Sequence, residues 1–324
     1  MKTLKIILAF LTFSLVAISC NKDDEGTKAA PSVSEIKFTE DNPALPITPT
    51  IASYDVVLMD KLKDKIYVVV KKTNTNSWFF YSYDVKDTTV KSLAAPTHDI
   101  LSNSGGETGI LTSDGNDELN AINIKERAIY SVSQDQWFYT KTNPSYFAPF
   151  ASSCTKNTNF TMFYAGNAYG GTSFRFRGSG TDWSILSDTP YEVAYPGLAI
   201  HENFIYMIGN ESSGPYQNKF SIFNINTNTW QKQADVNFNY AASRFAHTAV
   251  VLKDRYLAVY SREGFIRLYD IVKKEWSSKN NIELDYASGQ SNFNLFTDSS
   301  DSRILYLAYT KYGEFRIKRF TINI

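Results

Sequence analysis

Short runs in which apolar and polar residues alternate recur along nearly the whole chain. Lys65-Ile66-Tyr67-Val68-Val69-Val70, Phe204-Ile205-Tyr206-Met207-Ile208 and Arg303-Ile304-Leu305-Tyr306-Leu307 are typical, and Asn, Asp, Gly and Ser bound them. Period-two alternation predicts strands, because successive strand side chains point to opposite faces. Long segments of 3.6-residue period are missing, so the pattern predicts an all-β protein. One apolar run differs: residues 6–18, interrupted only by Thr12 and Ser14 and preceded by Lys2 and Lys5. It is too short to span a bilayer comfortably and has the length of a signal-peptide core.

The strands fall into a repeat. Trp137, Trp183, Trp230 and Trp276 stand 46, 47 and 46 residues apart, and an aromatic precedes each by seven: Tyr130, Phe176, Phe223 and Tyr269. Tyr83 and Val90 extend both series backward. In the clearest copy, 248–252 reads as a strand and 253–254 as a turn. Residues 255–260 and 265–269 are two further strands, 270–274 is a turn, and 275–277 is a fourth strand. Four short strands per 45 or so residues predict one propeller blade.

The residues themselves resemble the Kelch family, to which the central domain of galactose oxidase belongs. Arg244-Phe245-Ala246-His247-Thr248-Ala249-Val250 resembles its first strand. Phe204 to Gly209 resembles the second, with Asn210 where the family has a second Gly. Phe220 to Trp230 resembles the third strand, turn and Trp. The resemblance implies a six-bladed β-propeller with four-stranded blades, occupying residues 33–324. The WD40 pattern is absent, and Thr181-Asp182-Trp183 does not match a sialidase Asp-box. The last copy supplies only three strands (293–297, 303–309, 314–321) before Ile324. An open sheet edge exposes unpaired backbone groups, so the strand-like residues 33–39 are expected to supply the missing outer strand.

The start of the chain carries its own signal. Ala17-Ile18-Ser19-Cys20 resembles the lipobox of bacterial lipoproteins, with Ala17 where Leu is commoner. That resemblance implies a signal peptide over 1–19, acylation (palmitate or similar) of Cys20, and a flexible tether over 20–32. Asn21-Lys22-Asp23-Asp24-Glu25 resembles the acidic export signal of surface lipoproteins in Bacteroidetes-type bacteria. The expected location is therefore the outer membrane, exposed at the cell surface, with lipid as the anchor.

Charge and chemistry narrow the function further. Beyond residue 20 the chain carries 31 Lys plus Arg against 33 Asp plus Glu and has no basic cluster, which excludes nucleic acid as a partner. Cys154 is then the lone thiol, expected as a small buried apolar residue without a disulfide. His98, His201 and His247 lack metal-ligand partners at useful spacing. Ser113-Asp114-Gly115-Asn116-Asp117-Glu118 lacks the remaining ligands of a Ca²⁺ loop and reads as a solvated turn. No catalytic residue, cofactor or metal is expected.

With 22 Phe, 21 Tyr and 5 Trp, the aromatics are the candidate recognition groups. In a four-stranded blade, the loops between strands two and three share a face with those leading to the next blade. There the expected ligand-contacting residues are Trp78, Tyr146, Tyr169, Tyr191, Tyr216, Tyr240, Arg244, Arg262, Tyr286 and Tyr312. Tyr and Trp offer rigid area with a polar tip, suited to a glycan or a protein ligand, so the expected role is a binding module, an accessory to outer-membrane uptake. The same rings could instead wedge between blades. Two alternatives stay open: a sugar-modifying, epimerase-like Kelch enzyme using Arg244, His247 and Glu211 or Glu263, and a structural subunit of an envelope complex.

Overall fold

In a computed structural model the described residues are 31–46, 54–72, 77–97, 110–122, 127–140, 152–156, 161–165, 174–177, 183–191, 193–211, 218–236, 247–261, 264–284, 290–311 and 314–323. Strand β1 (Lys37–Pro46) comes first, then β2 (Tyr54–Leu62), β3 (Lys65–Lys72), β4 (Trp78–Asp84) and β5 (Val90–Ser92). The next group is β6 (Ile110–Ser113), β7 (Glu118–Ile122), β8 (Arg127–Ser131) and β9 (Gln136–Thr140). It is followed by β10 (Ser152–Lys156), β11 (Thr161–Ala165), β12 (Phe174–Arg177) and β13 (Trp183–Ile185). Strands β14 (Val193–His201), β15 (Phe204–Glu211), β16 (Asn218–Asn224) and β17 (Thr229–Lys232) make the next. Then come β18 (His247–Leu252), β19 (Tyr256–Ser261), β20 (Phe265–Asp270), β21 (Glu275–Trp276) and β22 (Ile282–Glu283). The chain closes with β23 (Gln290–Thr297), β24 (Ile304–Lys311) and β25 (Glu314–Asn323).

These strands pair into six antiparallel sheets. The first strand of each sheet packs on the first strand of the next: β2 on β6, β6 on β10, β10 on β14, β14 on β18, β18 on β23, and β23 back on β2. The protein is an all-β propeller with four-stranded blades. One sheet carries a short strand in addition to its four. Five sheets have four strands, and the sheet built on β18 has a fifth. There the outer edge is long: β22 pairs Phe265 with Glu283 and Ile266 with Ile282, beyond the point where β21 ends.

The last sheet has the order β1-β25-β24-β23, so an N-terminal strand does complete it. Its bounds differ from expectation. Residues 33–35 form a turn, and pairing runs from Lys37 opposite Asn323 to Pro46 opposite Arg316. Val33 and Ile36 are apolar for another reason: both are buried in a cluster with Leu252, Tyr256, Phe320 and Ile322. Asn281 holds the entry, its Nδ2 donating to the carbonyls of Val33 and Ile36, each at 2.8 Å.

The turns between strands three and four explain the aromatic-then-Asx spelling of the repeat. Asp84 Oδ1 accepts from the N–H groups of Lys86 (3.0 Å) and Asp87 (3.3 Å). Asn224 does so from Asn226 (2.9 Å) and Thr227 (3.3 Å), and Asp270 from Val272 and Lys273, both 2.9 Å. These are Asx turns, in which a short polar side chain replaces a backbone acceptor. Two residues before Val90, Trp137, Trp230 and Trp276 the backbone is left-handed, at Thr88, Asp135, Asn228 and Lys274, with φ between 49° and 57°.

Candidate functional site

The blades are joined by a contact that repeats. Phe80 of β4 meets Tyr130 (4.6 Å between centroids) and Trp137 (5.2 Å) of the following sheet. Phe220 of β16 meets Tyr269 (4.9 Å) and Trp276 (5.1 Å) in the same way. In these two copies the paired aromatics of the repeat, Tyr130 with Trp137 and Tyr269 with Trp276, are therefore inter-blade packing, and edge-to-face rings of this kind add about 0.5–1.5 kcal/mol beyond area burial.

A polar clamp accompanies the rings. Trp137 Nε1 donates to the Ala94 carbonyl (2.8 Å) while Asp135 Oδ1 accepts from the Ala94 N–H (3.0 Å). Two repeats later, Trp230 Nε1 donates to the Ser187 carbonyl (3.1 Å) and Asn228 Oδ1 accepts from the Ser187 N–H (3.1 Å). Each clamp satisfies both main-chain groups of one residue in the preceding blade. This makes a rigid frame with two faces: a hairpin face, carrying the one-to-two and three-to-four turns, and a loop face opposite.

On the loop face, two of the expected contact residues are described. Trp78 opens β4, but its ring is buried among Leu58, Tyr67, Val69 and Phe80, with Lys71 Nζ 5.4 Å from its centroid. Tyr191 is half-buried between sheets. It packs on the cluster of Leu198, Ile205, Met207 and Phe223. Lys219 Nζ lies 5.3 Å and Lys232 Nζ 4.7 Å from its ring centroid. Lys219 also reaches Asp235 Oδ2 at 2.9 Å. Tyr146, Tyr169, Tyr216, Tyr240, Arg244, Arg262, Tyr286 and Tyr312 lie outside the described residues, as do Cys20, His98 and Glu263. The side chains of Cys154, His247 and Glu211 also fall outside the description.

A second polar group surrounds the centre of the ring. Thr248 Oγ1 bonds Asn294 Oδ1 (2.5 Å), and Asn294 Nδ2 donates to the Met59 carbonyl (3.3 Å). One residue on, the Ser113 N–H donates to Asp60 Oδ2, and Ser113 Oγ donates to the Lys61 carbonyl at 3.0 Å. Burial pushes the Asp60 carboxyl up to about 6, against the N–H groups of Lys61 and Ser113, which favour its charged form. Burial also holds the Lys61 ammonium below its usual range, opposed by the charges of Asp298, Asp64 and Asp60.

Asp298 behaves in the opposite way. Its burial would raise the carboxyl, but donors from Ser300, Asp301 and Tyr306 outweigh this and hold it at about 2. Asp60 and Lys61 were not among the expected residues; the one signal for them is an acid and a base interrupting the apolar run Val56-Val57-Leu58-Met59. Likewise, Lys219 and Lys232 have no sequence mark beyond their positions at strand ends.

The other candidate chemistry settles into structure. His201 Nδ1 lies 4.0 Å from Asp254 Oδ1 of the next sheet. In the Ser113–Glu118 turn, Asp114 Oδ1 accepts the N–H groups of Asn116, Asp117 and Glu118 at 2.8–3.1 Å. That carboxylate oxygen is serving a turn, as solvated acidic turns do. Among the described residues, no three His, Cys, Asp or Glu side chains converge as metal ligands would.

No protein-family model and no curated protein matches the chain. Solved structures do. The structure of YjhT superposes with a TM-score of 0.60 at 13% identity, over 86% of this chain and 96% of that one. At this identity the likeness concerns the fold, and with the pairing above it defines a β-propeller protein.

Proposed function

We propose that the protein is a surface-displayed lipoprotein whose six sheets make a Kelch-type propeller, and that it binds a glycan or a protein ligand through the loop face. The observation that carries the binding role is Tyr191 with Lys219 and Lys232: an aromatic ring and two cations gathered at the loop-face ends of β16 and β17. Lys219 and Lys232 sit on regular strands and Tyr191 packs on the cluster beneath them, and a site on a rigid scaffold loses less entropy on binding. Anchorage rests on Cys20 and its lipobox, and surface display on Lys22-Asp23-Asp24-Glu25.

The test uses the soluble protein beginning at residue 22, applied to a glycan array and to detergent-solubilised envelope proteins. Tyr191→Ala and Lys232→Ala should each weaken a detected interaction about tenfold while the midpoint of urea unfolding moves little for Lys232→Ala. Binding unchanged in both variants would remove the loop-face reading. For anchorage, Cys20→Ser should leave an unprocessed or soluble protein; membrane retention at mature size would remove it. Replacing residues 22–25 with Ala should abolish cleavage by protease added to intact cells.

A further inference from the structure

Ser221 lies in the middle of β16 and is fully buried, and its hydroxyl has no hydrogen-bond partner among the described residues. A buried donor left unsatisfied costs free energy, so such a group calls for a ligand or an ion that completes it. The strand pattern shows which surface it faces. Side chains alternate along a strand, so Lys219, Ser221 and Phe223 share one face of β16. Across the ladder Lys232 stands opposite Ser221, and Trp230 opposite Phe223. Phe223, Trp230 and Tyr191 belong to one apolar cluster there. This is the face turned to the preceding blade, since Trp230 bonds the Ser187 carbonyl.

The polar groups beside the hydroxyl are cationic. Lys219 Nζ is 5.3 Å and Lys232 Nζ 4.7 Å from the Tyr191 centroid, so the two ammoniums are no further apart than these distances laid end to end. Tyr191 is itself held, the Thr189 hydroxyl donating to its carbonyl at 2.9 Å. Asp235 Oδ2 accepts from Lys219 at 2.9 Å and occupies one of three ammonium hydrogens. Lys232 is exposed, rests on the Tyr191 ring and has no carboxylate partner among the described residues. A water would satisfy the hydroxyl and leave the repulsion between the two ammoniums as it stands. An oxyanion answers both, because its oxygens accept hydrogen bonds and its charge attracts both cations.

We propose that Lys219, Ser221 and Lys232 form a subsite for an oxyanion group, a sulfate or a carboxylate, on this face of the sheet. The subsite deepens the loop-face reading and rests on it: the ligand captured there carries an anionic oxygen group. Lys232, being exposed, meets the anion first, and its flexible four-carbon stem lets the ammonium follow the anion inward. Ser221 supplies the buried donor. Tyr191 keeps the two ammoniums gathered by cation–π attraction.

The full mature chain is titrated calorimetrically with sodium sulfate and with sodium acetate at constant ionic strength, then with a sulfated disaccharide and its unsulfated counterpart. Anion binding should saturate at one site. Lys232→Gln should weaken it about tenfold, as for loss of a charge-assisted bond, and Ser221→Ala about fivefold. Lys91→Gln, on the exposed outer strand of the first blade, should leave it unchanged. Urea unfolding supplies a second readout. Without anion, Ser221→Ala should unfold at the same or a higher midpoint than the unaltered protein, because it removes an unsatisfied group. Saturating sulfate should then raise the midpoint of the unaltered protein by more than that of Ser221→Ala. A lower midpoint for Ser221→Ala without anion would show that the hydroxyl is bonded within the protein, and would overturn the subsite. So would failure of both anions and of the sulfated disaccharide to bind, or binding that both site variants leave intact; an array interaction still weakened by Tyr191→Ala would in that case keep the loop-face reading. Tighter binding of the sulfated disaccharide than of sulfate or the unsulfated sugar would uphold both. Equal binding of sulfate and the sulfated disaccharide would assign the subsite to a free inorganic anion and overturn its link to the loop-face ligand.

Discussion

Trp137 reaches back 43 residues to donate its indole N–H to the carbonyl of Ala94, and Trp230 does the same to Ser187, also 43 residues earlier. Trp137 thus has two tasks, filling the inter-blade gap against Phe80 and tying it by a hydrogen bond. Trp137→Phe should keep most of the packing on Phe80 and Tyr130 and lose the bond, costing about 1 kcal/mol. Trp137→Ala should cost about 3–5 kcal/mol, as for a large buried aromatic. Urea unfolding of both variants measures the difference; equal losses would show that the indole nitrogen contributes nothing.

Arg255 and Asp270 form a partly enclosed ion pair. Both Nε (3.1 Å) and Nη2 (2.7 Å) donate to Asp270 Oδ2, and the Asp270 side chain is fully buried. Burial would raise the Asp270 carboxyl, but the Arg255 guanidinium and the turn N–H groups hold it below its usual value. Arg255→Ala leaves a buried charge without its partner and should cost about 3–5 kcal/mol. Adding Asp270→Asn should recover part of that loss, since a neutral amide still caps the turn. A double variant as unstable as the single one would show that charge was not the cause.

Asp60 gives a pH dependence of known sign. Its carboxyl rises from 3.8 to about 6 on folding, so between these values the native state holds a proton that the unfolded chain releases. Stability from this group is fully present below about pH 4 and is lost as pH rises to about 6. Two pH units correspond to about 3 kcal/mol at most. Asp60→Asn should flatten this slope and raise stability at pH 7 to 8. Asp298, held at about 2, acts with the opposite sign: its contribution is present above about pH 4 and fades as pH falls toward 2. A stability profile of Asp60→Asn that still falls from pH 4 to 6 would place the effect elsewhere.

Closure rests on β1. Arg319 Nη1 and Thr321 Oγ1 both donate to Asp41 Oδ2 (2.7 and 2.6 Å), and Lys318 reaches Glu40. Deleting residues 37–46 should expose the edge of β25 and abolish cooperative unfolding, whereas deleting 22–30 should leave the unfolding midpoint unchanged. Asn281→Ala removes two bonds to the entry and should cost about 1–3 kcal/mol. Calorimetry on the three variants separates them, and equal transitions for both deletions would deny β1 any part in the ring.

Much of this architecture is legible in the residues because the frame repeats. Phe223-Asn224 before Trp230 and Tyr269-Asp270 before Trp276, each with a left-handed residue two before the Trp, spell one hairpin, and the looser aromatic-to-Trp spacing marks the other copies. The bounds of β1 were not legible in that way. Val33 and Ile36 stand three apart, out of step with a strand, and both are buried as anchors under the rim. Asn42-Pro43-Ala44-Leu45-Pro46 looks like a loop, and prolines are tolerated there because β1 is an edge strand with bulges. The polar links Asp60–Ser113 and Asn294–Met59 join strands of different blades, and no local pattern encodes a partner 53 or 235 residues away. Trp78 carried the right signal for an exposed aromatic, yet its neighbours Leu58 and Phe80 enclose it.

The pairing of Lys37 with Asn323 also has a temporal side. Any chain made or threaded N-terminus first brings out β1 before every other strand, and β25 after them all. The first strand to emerge must therefore wait, unpaired, until the last has followed. Arrest before closure leaves one of two species: an open arc lacking its final blade, or a nearly closed ring whose last edge is bare. Each exposes a strand edge able to recruit a second molecule. The acidic, polar residues at the head of β1 (Glu40, Asp41, Asn42) are of the kind that discourage such pairing while the strand waits.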